Sequence, residues 1–282
     1  MTSTIDEEII PMYLDKFFKM IFADKNDLKY LKYLISVILN IKIKNITIIS
    51  PELPGNLLTT KSSYLDILVE LDDLSKINIE INSNPKSYVF DRNLFFLFKV
   101  MGNDLKIGED YKKLNKYIQI NLNANINQKV SMMKYKLINI ETKEVLTDKL
   151  EIINIDVEKL SDKCYNEGIK KQDDFTKLMG LIGACDKKHY DIFKGETGIM
   201  EELIGKADKI RYDNNLLQVL DYEKMRDNRE IAAREEGFNR GIEKGANDEK
   251  NIIAKNMIKE NIDLNTISKV TGLSKEEIEK LK

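Results

Sequence analysis

Histidine and cysteine are nearly absent from this 282-residue chain: His189 stands alone, and Cys164 and Cys185 lie too far apart for C-x-x-C spacing. Zinc fingers, disulfide frameworks and histidine-based triads are thereby excluded. Tryptophan is missing, prolines number 4, and only six residues are arginine. No apolar run approaches the roughly 20 residues of a membrane span, and the acidic stretch from Met1 to Pro11 lacks the cationic start of a signal peptide. A soluble, cytoplasmic protein with no membrane partner is expected. An excess of either charge is lacking too. The 45 Lys+Arg oppose 47 Asp+Glu for a net charge of −2, which excludes a basic coat for nucleic acid. What remains is 42% hydrophobic, enough for a core. Any catalysis must use carboxylates, lysines, tyrosines, hydroxyls or a metal held by oxygen, a palette that suits Mg2+ or Mn2+.

The spacing predicts helices over Tyr13 to Phe22 and Asp27 to Leu39, the second with Leu28, Leu31, Leu34, Ile35 and Ile38 on one face. Ile43 to Ile49 is β-branched enough for a strand, and Pro51, Pro54 and Gly55 then break the pattern. Two alternating segments follow, Ser63 to Leu71 and Ile77 to Asn82, with Asp72 to Lys76 as a five-residue hairpin loop. Ser87 to Met101 reads as a buried helix with Phe90, Leu94, Leu97 and Phe98 on its inner face. Tyr117 to Leu122 is a strand, Met133 to Ile140 and Val145 to Val157 are a further pair, and helices fill the chain from Lys159 onward. Five arginines fall between Arg211 and Arg240, but acids are interleaved, with nine residues of each sign from Tyr222 to Glu260, as on a solvated amphipathic helix.

The hairpin carries the candidate chemistry. Alternation sends every second side chain to one face, so Asp66, Glu80 and Asn82 share a face. A hairpin symmetric about Leu74 pairs position 66 with 82 and 68 with 80, leaving Asp66 diagonal to Glu80 at about 7 to 8 Å between backbones. Two carboxylates so placed can converge on one divalent cation, which activates water and stabilises charge on a phosphoryl oxygen. Acids on the wet face of a hairpin are also ordinary. Against that, Asp66 and Glu80 sit inside apolar runs, where an unpaired carboxylate is costly.

Asp15-Lys16-Phe17-Phe18-Lys19-Met20-Ile21-Phe22, Leu65-Asp66-Ile67, Ile79-Glu80-Ile81-Asn82, Arg92 and Gly108-Glu109-Asp110-Tyr111, in this order and spacing, resemble the PD-(D/E)XK nuclease family transposases, also called Rpn recombination-promoting nucleases. The resemblance implies an α/β fold: a restriction-endonuclease-like mixed β-sheet core flanked by helices, with a helical C-terminal extension. It implies Mg2+-dependent (or Mn2+-dependent) endonuclease action on DNA, with Asp66 and Glu80 as metal ligands. Asn82 falls where the superfamily has lysine and this family commonly glutamine, and the proline of the motif name is replaced by Leu65. The alternative is a nucleic-acid- or protein-binding member of the same fold without turnover. Asp15 stands either as a third carboxylate or as a helix-terminal residue with structural work alone. Arg92 either contacts phosphate or pairs with an acid of the core. Lys61 matches a basic position of the family pattern, or is a solvated lysine.

The expected organisation is a nuclease-like core over 1–160, a helical region over 161–225 continuing it, and a charged helix with a small helical tail over 226–282. In the tail, Ser274 and Glu277 form a capping box and Gly272 stops a helix. Three short helices there resemble a helix-turn-helix, yet the last one carries Glu276, Glu277 and Glu279, which repel phosphate. A packing or homo-oligomerisation element is the favoured reading of that segment.

Overall fold

Apolar residues at helical spacing form α1 (Asp15–Phe22) and α2 (Lys29–Leu39), which bury Phe17, Phe18, Ile21 and Phe22 and Leu31, Leu34, Ile35 and Ile38 respectively. Asn40 closes α2 in the left-handed region, φ 53°. The strands follow as β1 (Ile46–Ile49), β2 (Glu52–Leu53), β3 (Ser63–Tyr64), β4 (Ile67–Leu71) and β5 (Lys76–Asn82). After α3 (Val89–Gly102) come β6 (Tyr117–Asn123), β7 (Met132–Tyr135) and β8 (Leu150–Asp156), then α4 (Val157–Glu167), α5 (Asp174–Gly183), α6 (Lys187–Asp191) and α7 (Ile199–Arg211). This computed structural model describes residues 9–49, 52–53, 63–64, 66–85, 87–102, 104–105, 108–126, 128–211, 237–238, 240–242 and 244–281. Lys61, the Pro51/Pro54/Gly55 break and most of the arginine-bearing charged segment (212–236) lie outside those residues. The chain divides into two compact units, Met1–Leu217 and Gln218–Lys282. Among the described residues no helix is long and apolar enough to cross a membrane.

In the first unit six strands form one mixed sheet in the order β1-β4-β5-β6-β8-β7, and β2 pairs separately with β3. The β5/β6 and β6/β8 pairs are parallel; β1/β4, β4/β5 and β7/β8 are antiparallel. The sheet flanked by helices is the α/β architecture that the sequence led us to expect. One face of its centre is aliphatic, with Ile77, Ile79, Ile118, Ile120, Ile153 and Ile155 buried. The other carries Asn78, Glu80, Asn82, Gln119, Asn121, Asn123 and Asn154, also buried. Parallel strands covered on both sides are normally apolar throughout. Here the amides satisfy one another sideways across the strands instead. Close approach of α5 to α4 depends on Gly183, where a Cβ would collide with the carbonyl oxygen of Val157.

Three sequence expectations need correction. The hairpin register is Ile67↔Ile79, Leu68↔Asn78, Val69↔Ile77, Glu70↔Lys76, so position 68 faces 78 rather than 80. The cause is a shorter loop. Leu71 N–H donates to Ser75 O at 2.9 Å, Leu74 lies in the left-handed region (φ 65°), and β5 already begins at Lys76. The second correction concerns α3, whose presumed inner stripe is turned outward: Phe90, Leu94 and Phe98 are 41%, 38% and 51% exposed, whereas Val89, Asn93, Leu97 and Val100 are buried. A polar sheet face selects Asn93 to meet it. Third, β7 and β8 pair antiparallel as expected but are shorter than read; only the bridge Ile138↔Val145 continues toward the turn.

Leu74 is a branched residue at positive φ, and its side chain is exposed. Leu74→Gly removes that strain without emptying the core, and we expect urea denaturation to show a gain of about 0.5–1 kcal/mol. A loss would mean that the side chain stabilises the loop.

The second unit holds a helix over 244–259 (α8), then α9 (Leu264–Thr271) and α10 (Lys275–Glu279). Ala254, Ile267 and Ile278, one from each helix, form its small core, supported by Met257, Leu264 and Leu273. The capping box of Ser274 and Glu277 is present, and Gly272 at φ 73° ends α9. Asp263 caps α9 by accepting from the N–H groups of Asn265 and Thr266.

Candidate active site

Continuing the β4/β5 ladder by one residue brings Asp66 directly opposite Glu80, closer than the diagonal expected from sequence. Asp66 N–H donates to Glu80 Oε1 at 3.4 Å, and Ile81 N–H donates to Asp66 Oδ2 at 2.9 Å. The two carboxylates therefore converge at the end of the hairpin remote from its loop. Glu80 is almost wholly buried and Asp66 nearly so, with side-chain exposures of 3% and 15%. Burial, then the negative charge of Asp66, pushes the Glu80 carboxyl up to about 8, against the Asn78 amide and Arg92. Burial, then the charge of Asp15, pushes Asp66 up to about 6, with Lys19 and the Ile81 N–H opposing. Two acids in this condition form a site short of positive charge.

Among the described residues, the cations beside the pair come from two helices. Lys19 Nζ on α1 lies 2.9 Å from Asp66 Oδ1 and 2.8 Å from Asp15 Oδ1. Burial disfavours the charge on Lys19, but the carboxylates more than offset this and its pKa is raised. Arg92 on α3 donates to Asn82 Oδ1 at 2.9 Å and to Asn93 Oδ1 at 3.2 Å, and approaches Glu80 Oε2 at 3.7 Å. Of the two readings left open for Arg92, pairing with the core is observed. Its side chain also remains 41% exposed.

Asn82 sits beside this pair with both ends of its amide engaged: Nδ2 donates to Asn123 and Oδ1 accepts from Arg92. Asp15 joins the group through Lys19. Glu80 is further tied to an amide chain in which Asn78 Nδ2 donates to Glu80 and to Gln119, Gln119 to Asn121, and Asn121 to Asn154, at 2.7–3.1 Å. Sequence reasoning missed Lys19 and this amide chain. Its signal was present as Asn78 and Asn82 flanking Glu80 on β5, Gln119, Asn121 and Asn123 at alternate positions of β6, and Asn154 on β8, and Lys19 stands one helical turn after Asp15.

The donor set suits a hard divalent cation. Asp66 and Glu80 offer carboxylate oxygens, and their raised pKa values mark charge that such an ion would neutralise. Among the described residues no three His, Cys, Asp or Glu side chains come together as a metal site. An ion on the two acids would complete its shell with water or phosphate oxygens, as Mg2+ commonly does.

Residues 12–236 match the family model described as PD-(D/E)XK nuclease family transposase. Residues 249–282 match that of the Rpn/YhgA-like nuclease family C-terminal HTH domain. The segment favoured from its glutamates as a packing element thus has the sequence of a helix-turn-helix domain. No curated protein and no solved structure gives a match.

Proposed function

Because the chain belongs to the PD-(D/E)XK nuclease family transposases, we propose that it is a metal-dependent DNA endonuclease whose centre is Asp66 and Glu80. The observation that carries this reading is the convergence of two buried carboxylates, held by the Asp66 N–H to Glu80 hydrogen bond, with pKa values driven upward. Mg2+ or Mn2+ bound there would supply Lewis-acid polarisation of the phosphoryl oxygen and acidify water. Asp66 is oriented for this by Lys19 and the Ile81 N–H, and Glu80 by Asn78. Arg92, beside Glu80, is a cation of the chain at the pair, as Lys19 is beside Asp66. Its exposed portion can reach a phosphate oxygen while Asn82 and Asn93 fix its position. Asn82 then acts through Arg92, since its own amide is occupied at both ends. The helix-turn-helix domain would add a second contact to DNA.

The experiment is incubation of supercoiled plasmid with the full chain in Mg2+ or Mn2+ and, separately, in chelator. Nicking that requires metal and disappears in Asp66→Ala supports the reading. Nicking that persists in Asp66→Ala places the chemistry elsewhere. A second reading is favoured by Asn82, whose amide is already engaged by Asn123 and Arg92: the same fold binds DNA without cutting it. Plasmid binding with no nicking in either metal is the result expected of that second reading.

A further inference from the structure

Beside the acid pair, on the same face of the sheet, lies a cavity of about 300 Å³. Its floor consists of the amides Asn93, Gln119, Asn121 and Asn154, and its walls include Phe90, Leu94 and Tyr135. The volume is at the small end of the range for organic ligand sites. A site of this size takes one planar, heteroatom-bearing ring more readily than a peptide segment.

The chemistry of the floor is specific. Asn121 Oδ1 already accepts from Asn93 and Gln119, and Asn121 Nδ2 donates to Asn154 Oδ1. Asn154 uses only its oxygen within the network, so its Nδ2 donors are left for an occupant. Asp91 at the rim adds an acceptor. Donor and acceptor groups beneath aromatic walls match the edge and face of a nucleobase: the edge takes hydrogen bonds and the face stacks. The outward turn of α3 contributes Phe90 and Leu94 to these walls. An amphipathic helix made only to cover the sheet would have buried them.

The position is also specific. Glu80, Asn121 and Asn154 occupy one row across β5, β6 and β8, as the pairs Glu80↔Asn121 and Asn121↔Asn154 show. The pocket thus lies about two strand spacings, roughly 10 Å, from the carboxylates. A nucleotide whose phosphate is held by Arg92, beside Glu80, could place a neighbouring base there once that base leaves its stack.

We propose that this cavity is a nucleobase pocket, which takes an unstacked base of the DNA strand and favours bases with an exocyclic amine, because Asp91 offers an acceptor. The proposal rests on the nuclease reading for its occupant, but its test does not need cleavage. The amide chain from Asn154 to Glu80 makes the pocket and the acid pair one hydrogen-bonded unit, so the occupant sits on the network that orients Glu80.

The test uses the full chain in chelator and fluorescein-labelled single strands of eight nucleotides: dA, dC and dT homopolymers and a fully abasic strand of the same length. Anisotropy should show dA and dC strands binding roughly 5- to 100-fold more tightly than the abasic strand, the range expected for base stacking. Tyr135→Ala and Phe90→Ala, both at partly exposed positions and therefore tolerable to the fold, should remove most of that preference. Asn154→Asp, which keeps the shape and exchanges donors for an acceptor, should change the ranking of dA, dC and dT. Equal binding of abasic and base-bearing strands, or a preference untouched in both aromatic variants, overturns the pocket. So does a dimer dispersed by Tyr135→Ala with no base preference, since the walls would then meet a second copy of the chain. A parallel Mn2+ arm reads cleavage: base preference without cutting keeps the pocket and removes the nuclease, and cutting without base preference does the reverse.

Discussion

Glu80→Gln is expected to lose metal-dependent cleavage by more than about 100-fold, since even groups that only support a metal ligand cost 10–100-fold when removed. The same substitution should make the metal-free protein more stable at alkaline pH. The ordinary value for this carboxyl is 4.5, and burial with the neighbouring Asp66 raises it to about 8 in the fold. A raised acid means that the folded state holds the proton more tightly than the unfolded one. Stability from Glu80 is therefore complete below pH 4.5 and is lost as the pH rises through 8. Gln cannot ionise, and its oxygen can still accept from Asn78 and from the Asp66 N–H. The gain should be near zero at pH 4.5 and on the order of 2–5 kcal/mol at pH 8.5, seen as a rise in Tm of at least about 4 °C in chelator. Asp66→Asn should lose cleavage too but gain less stability, because it also strips Lys19 of its 2.9 Å partner. A Glu80→Gln variant that cuts normally, or one less stable than wild type at pH 8.5, would show that the charge on Glu80 is neither needed nor costly.

Trading stability for a poised pair of acids is a common feature of functional sites. The arrangement here shows which costs are offset. Asp66 has a lysine and a backbone N–H, and Glu80 has the Asn78 amide, the Asp66 N–H and a more distant guanidinium, yet burial and neighbouring negative charge outweigh these donors and both carboxyls are raised. The amide layer continues this compromise across β6 and β8. Apart from Asn78 Oδ1, which is buried without a partner, it keeps polar groups buried and paired beside the site, where an aliphatic sheet face would have offered the acids no donors.

Much of the fold is legible because hydrophobic period reports which face is covered. The stripes of α1 and α2, the alternation of β5 and β6 and the Ser274/Glu277 capping box all appear where the residue pattern put them. The nearness of Asp66 to Glu80 was legible as well, from parity along the strands. The register was not, since a loop that turns on a left-handed Leu74 leaves no glycine or asparagine as a signal. The orientation of α3 was hidden for a different reason. Periodicity assumes that the surface beneath a helix is apolar throughout, but α3 meets the asparagine and glutamine layer at Asn93 and an apolar cluster of Leu68, Tyr117 and Leu150 only at Leu97 and Val100. Residue types alone therefore assigned Phe90, Leu94 and Phe98 to the interior, and long-range pairing of amides decided otherwise.

Metal affinity should follow the protons on the two acids. A carboxyl must be ionised to bind a cation, so each proton held in the metal-free site competes with the ion. Burial and neighbouring negative charge hold both carboxyls above their ordinary range, so the pair as a unit gives up its protons as the pH rises from 6 to 8. Lys19, whose pKa is raised, keeps its charge throughout and adds nothing to the slope. Calorimetric titration with Mn2+ should therefore show binding strengthened on the order of 100-fold from pH 6 to pH 8 and flattening above. About one proton should be released per ion near pH 7, read from the dependence of the heat on buffer ionisation. Glu80→Gln should bind weakly and show a far shallower slope. Affinity that does not change from pH 6 to 8, with no proton released, would mean that the ion does not bind on this pair.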